Sequence, residues 1–74
     1  MGKVATALQV ALLIPVEPSK IKSIAMAQKL EVSERTVMAS VNQLRMAGID
    51  IESTRGKHGG YYIPKWGRRL EVIQ

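Results

Sequence analysis

The spacing of the apolar residues changes once along this chain, at Gly48. Before it, the stretch from Glu34 to about Ala47 carries Val37, Val41 and Leu44 at helical spacing. After it, Ile49 and Ile51 alternate with Asp50 and Glu52, which is the period of a strand. Tyr61 and Ile63 repeat that period beyond the segment STRGKHGG. A helix must therefore stop abruptly and hand over to a hairpin. A glycine just past the last helical turn can take the left-handed backbone conformation that such a stop requires. At the other end, Ser33 is placed to cap the helix, with Glu34 near its positive end. Ile49, Ile51, Tyr61 and Ile63 are expected inward, and Pro64 ends the second strand because it cannot donate to a ladder.

Two further helices are expected upstream. From Lys3 to Ile14, Val4, Ala7, Leu8, Ala11 and Leu12 form the expected inward stripe. Pro15 pushes the residue before it out of the helical region and ends that helix. Val10 and Leu13 then lie on the nominally polar side with Thr6 and Gln9, which suggests a second contact there, either a subunit or the C-terminal tail. PVEPSKIK is a connector in which a very short strand can begin at Ile21. Ser23 to Leu30 reads as a two-turn helix with Ser23 as its candidate N-cap and Ile24, Met26, Ala27 and Leu30 as its apolar residues. EVS is a three-residue turn, with Val32 plugging the space between two helices. The expected organisation is one domain over 1–74: a helix pair at about 23–47, a hairpin at about 49–63 and a tail at 64–74. In the tail, Trp66 is expected to cap the open side of the hairpin, with Leu70, Val72 and Ile73 packing on the first helix.

A chain of 74 residues buries only roughly 60% of the surface it exposes when unfolded. It has no cysteine, so neither a disulfide nor a thiolate metal site supports it. VATALQVALLIPV is too short to span a bilayer. MGKVAT fits a loose lipidation pattern but is better read as the start of the first helix. The expected location is cytoplasmic, in a prokaryotic or viral setting. Eleven basic residues against six acidic ones give a net charge of +5. Arg55, Lys57, Lys65, Arg68 and Arg69 lie between Ser53 and Leu70 with no acid among them, while the remaining charges cancel. A localised basic patch of this kind favours a polyanion, usually nucleic acid.

Helix, short turn, serine-capped helix and basic hairpin follow the order of a winged helix-turn-helix: three helices with a small two- or three-stranded antiparallel wing, mostly α. In that arrangement the second helix of the pair enters the DNA major groove and the wing meets the neighbouring backbone. The expected contacts follow from position. Arg35, in the first turn, is the best candidate to read a base, by bidentate bonding to guanine. Asn42 and Gln43 suit adenine or a phosphate, and Met38 and Ala39 suit a thymine methyl. Ser33 and Thr36 serve the cap and a phosphate together. Arg55 and Lys57 in the wing meet phosphates. His58 reads as a loop residue, because metal coordination needs companions it lacks. Neither a Ser–His–acid nor a Cys–His set is available, so no enzyme activity, cofactor or metal is expected.

The segment MAQKLEVSERTVMASVNQLRMAGIDIESTRGKHGGYYI resembles the winged-helix domains of biotin-repressor and DeoR-type regulators. Met26, Ala27, Leu30, Val32, Ser33, Thr36, Val37, Leu44, Ala47, Gly48, Gly60 and Tyr61 carry the likeness. The resemblance implies sequence-specific binding to double-stranded DNA, usually as a homodimer or within a larger regulator, and hence a transcriptional role and an association with the nucleoid. Two features depart from the pattern. Few residues follow the wing, so no small-molecule ligand domain is expected. The outward face of the third helix, with Arg35, Met38, Ala39, Asn42 and Met46, is unusually apolar. That face leaves two other uses open: a winged helix that binds a protein such as RNA polymerase or a replication factor, or an architectural or recombination-directing DNA binder. A dimer interface is expected at Val10, Leu13 and Leu70.

Overall fold

The computed structural model describes residues 3–57 and 59–68. Its elements are α1 (Lys3–Leu13), α2 (Ser23–Leu30), α3 (Glu34–Met46), β1 (Glu52–Thr54) and β2 (Gly60–Tyr62). The three helices and the two-stranded antiparallel sheet make a winged helix-turn-helix. Val10, Met26, Val37 and Val41 are at most 1% exposed and mark the point where the three helices meet. Ile51 and Ile63 extend this core beneath the hairpin.

Both ends of α3 are fixed by local chemistry. Ser33 Oγ accepts the Thr36 amide at 3.1 Å, satisfying one of the amides a helix N-terminus leaves open. At the other end Ile49 N donates to Leu44 O and Gly48 N to Arg45 O, with Gly48 at φ 100°. That double closure is the Schellman pattern, and it puts Ile49 back on the core, three residues before β1. Ser40 is buried, but its hydroxyl donates to Thr36 O at 2.9 Å and so costs the core little. Arg45 Nε donates to Ile51 O at 3.0 Å and ties the last turn of α3 to the strand.

Four expectations need correction. The first is the face of α1: Ala7, Val10, Ala11 and Ile14 are buried, whereas Leu8 and Leu12 are 48% and 62% exposed. The inward stripe lies roughly a quarter turn from the expected one, because two alanines let α1 approach its neighbours closely with Val10 between them. Val10 thus belongs to the core and offers nothing to a second subunit, and Leu13 is half-buried against the same core. The second is Ser23, which is the first residue of α2 rather than its cap: Lys22 holds the cap position without a side-chain bond, and Ser23 Oγ donates to Glu34 Oε1. The third is the first strand: the alternation of Ile49 to Glu52 precedes β1, which runs over Glu52–Thr54 and is exposed at all three residues. The fourth is Trp66, 76% exposed and so no lid on the hairpin. Leu70, Val72 and Ile73 lie outside the described residues.

The connector after α1 supplies what a three-residue hairpin lacks. Ile21 and Tyr61 exchange both backbone hydrogen bonds, at 2.7 and 3.0 Å, and Val16 bridges Ile63 in parallel. The short strand expected at Ile21 is therefore present as an antiparallel bridge, and β2 is paired on both sides. The turn after β2 is fixed by two carboxylates. Glu17 Oε2 accepts the Lys65 amide, and Asp50 Oδ2 accepts the Arg68 amide, each at 2.7 Å.

Two of these local structures are open to a stability test. Glu31 closes α2 at φ 57°, ψ 45°, a left-handed conformation that costs an ordinary residue roughly 1–2 kcal/mol. Glu31→Gly should raise stability by about 0.5–1 kcal/mol, read as a higher urea midpoint. Asp50 is held below its ordinary value of 3.8, first by the Arg68 backbone amide and then by that residue's side chain, against an opposing effect of burial. Its stabilisation is complete above the unfolded pKa of about 3.9 and is lost as pH falls through the lower folded value. Asp50→Asn should therefore be less stable than the wild type at neutral pH, and the two urea midpoints should converge as pH falls through the lowered folded value.

Candidate nucleic-acid interface

The helical period sorts α3 into sectors. At roughly 100° per residue, Val37, Val41 and Leu44 point to the core, while Arg35, Ala39, Asn42 and Met46 point directly away from it. All four of the latter are exposed, Met46 at 87%. Glu34, Met38 and Arg45 occupy the flank facing the hairpin, as the Arg45–Ile51 bond requires. Gln43 falls on the opposite flank, exposed but apart from the hairpin. Ser33 and Thr36 are bound to each other, Oγ to Oγ1 at 3.0 Å, as well as through the cap.

The hairpin and α3 bound one groove of about 480 Å³. Its walls are Lys22, Ser23 and Ile24 from α2 and the residue before it, Glu34 and Met38 from α3, and Ser53 to Gly56 with Gly59 to Tyr61 from the wing. The groove therefore joins two of the expected contact residues, Met38 and Arg55, across a gap of the sequence. Arg35, Ala39 and Asn42 stand on the adjoining face. Arg55 and Lys57 are exposed near the wing tip, and His58 lies outside the described residues. The loop is shorter than expected, since Ser53, Thr54 and Gly60 belong to the strands. Gly59 N donates to Gly56 O to close it, and a Cβ on Gly59 would collide with Thr54 O.

Two basic residues not singled out in the sequence join this surface. The Ile21–Tyr61 bridge places the short segment Lys20–Lys22 along the outer edge of β2. Lys22 lines the groove, and Lys20 Nζ stands 5.7 Å from the centre of the Tyr62 ring. The signal for them was the i, i+2 spacing of the two lysines around a strand residue. Arg68, by contrast, is engaged with Asp50, with Nε at 3.4 Å from Oδ2. Among the described residues no group of three or more His, Cys, Asp or Glu is placed to hold a metal ion, and no helix is long and apolar enough to cross a membrane.

Comparison with known proteins yields two matches. A family model described as an HTH domain matches residues 9–62, which takes in all three helices and both strands except the first turns of α1. A solved structure, that of CymR (YrzC), the global cysteine regulator of B. subtilis, superposes with a TM-score of 0.53 at 25% sequence identity. The match covers 80% of this chain and 43% of that one, so the chain corresponds to less than half of the CymR chain. No curated protein sequence matches.

The geometry of the wing generates one prediction. Gly59→Ala should cost about 1–3 kcal/mol, because the new methyl meets backbone rather than a movable side chain. A urea titration showing an unchanged midpoint would mean that the loop closes in some other way.

Proposed function

This chain belongs to the helix-turn-helix domain family matched over residues 9–62, and we propose that it is a sequence-specific double-stranded DNA-binding protein that regulates transcription. The observation that carries the reading is the adjacency of an exposed α3 face to a basic wing across one groove. A DNA duplex needs both parts: side chains that reach base edges, and cations that meet phosphates without reading them. The likeness to CymR, a regulator, supports the transcriptional role. The proposed base contacts are Arg35, Met38, Ala39 and Asn42. Ser33, Thr36, Gln43, Arg55 and Lys57 take the backbone, with Lys20 and Lys22 added from the structure.

We further propose that two copies bind neighbouring half-sites. The surface available for pairing on α1 is Leu8 and Leu12, in place of Val10. Two half-exposed leucines fall far short of the roughly 800 Å² per partner of a standard interface. Pairing is therefore expected chiefly on DNA, where neighbouring sites raise the effective concentration. Sedimentation showing one copy per duplex on a site with two half-sites would end this part of the proposal.

A second reading has its own support. Met38 and Met46 are 52% and 87% exposed on α3, and flexible thioethers suit a protein surface as well as a base. The two readings separate by mutation in an electrophoretic shift assay with DNA flanking the gene. Arg35→Ala should cost about 1–3 kcal/mol on the cognate site and relax one base position. Lys57→Ala should weaken specific and nonspecific DNA alike and flatten the salt slope by about one unit. If both variants bind DNA normally, while Met38→Asp no longer binds a protein partner, the protein-binding reading is favoured instead.

A further inference from the structure

We infer that Glu34, with Met38 one turn further along α3, reads a cytosine; the inference rests on α3 entering the major groove as proposed above. The two residues are four apart on one helix and both line the groove between α3 and the wing. Glu34 is the one acid among the described residues lining that groove, where Lys22 and Arg55 are the cations. On a surface facing a polyanion, a carboxylate repels every phosphate near it. It gains only where it meets a donor.

The bases restrict which donor that can be. In the major groove guanine and thymine present acceptors at the relevant edge, and only the amino groups of cytosine and adenine donate. The amino group of adenine lies beside N7, an acceptor whose lone pair opposes the second carboxylate oxygen. The amino group of cytosine lies beside C5–H, which carries no lone pair. Met38, half exposed next to Glu34, supplies an apolar group for that C5 edge. A carboxylate beside a thioether chain thus complements a donor beside an apolar edge. Ser23 Oγ donates to Glu34 Oε1 at 3.0 Å from the first residue of α2. That bond engages Oε1, and Oε2 is the oxygen offered to the base.

The alternative is that Glu34 merely ties α2 to α3 and sits favourably at a helix N-terminus. Selection of binding sites from randomised duplex DNA, with the full chain and its Glu34→Gln variant, separates the two. The wild type should show one position at which cytosine is preferred over thymine by roughly tenfold or more. Glu34→Gln keeps the volume and the acceptor for Ser23 but adds a donor. It should admit thymine at that position and leave the other positions unchanged. A second arm alters the DNA instead of the protein. Replacing that cytosine by 2-pyrimidinone, which lacks the amino group, should weaken wild-type binding to a similar degree and affect Glu34→Gln much less. An unchanged base profile in a folded Glu34→Gln, with altered melting alone, would reduce Glu34 to a structural tie and overturn the inference. A wild-type profile with no preferred base at any position would overturn the proposed function itself, and this inference with it.

Discussion

Two backbone hydrogen bonds between Ile21 and Tyr61 hold the wing to the helices, and the groove depends on them. A hairpin of two three-residue strands is marginal in water on its own. Here its inner strand is flanked by a single residue from the connector before α2, and that residue is followed directly by the cap of the helix pair. Any displacement of the wing is therefore transmitted to the start of α2. Gly60 makes the approach possible, since a Cβ there would lie 2.8 Å from Ile21 O. The wing is thus fixed at its root by backbone pairing and left exposed at its tip, where Arg55 and Lys57 stand.

What could be read in the sequence divides along a physical line. α3 was legible because its stripe is narrow and both ends carry their own chemistry, a serine cap and a glycine stop. The place of the hairpin was legible from Ile51 and Ile63 on either side of a glycine loop and from Pro64, but its first strand was not: Glu52 to Thr54 are all exposed and so carry no alternation to read. α1 was not legible in the same way. Nearly every residue from Val4 to Ile14 is apolar, so several faces satisfy the helical period equally well. What decided between them was packing: Ala7 and Ala11 are small enough for a close approach, and Val10 fills the space between them. Trp66 failed for a related reason. Its size suggested a lid, but the turn that carries it is fixed by the Lys65 and Arg68 amides donating to the Glu17 and Asp50 carboxylates, and the indole stays outside.

The distribution of charge shows how far order along the chain differs from order in space. Along the chain the excess cations fall after Ser53. In the fold Arg68 is drawn back to Asp50, and Arg45 commits its Nε to a backbone carbonyl. Lys20 and Lys22, balanced in number by acids elsewhere, are brought to the edge of the wing by the Ile21 bridge. The basic surface is thus assembled from two segments far apart in the chain, and the hydrogen bonds that build the sheet are also those that build the field.

On the proposed DNA-binding reading, this arrangement would separate affinity from discrimination. The α3 face carries Arg35 as its one cation directed straight outward, beside Ala39, Asn42 and Met46. Bound in a groove, a helix so poor in charge would draw little of its binding energy from counterion release, and the salt-dependent part would come from the wing and the lysines along its edge. What α3 would contribute is shape and hydrogen bonding at base edges, which is weak on the wrong sequence because nothing there compensates for a mismatch. Strong cations on α3 would have held the helix in any major groove. Their scarcity would leave the choice of sequence to the few side chains of a helix whose start is set by the Ser33 cap and the Ser23–Glu34 bond.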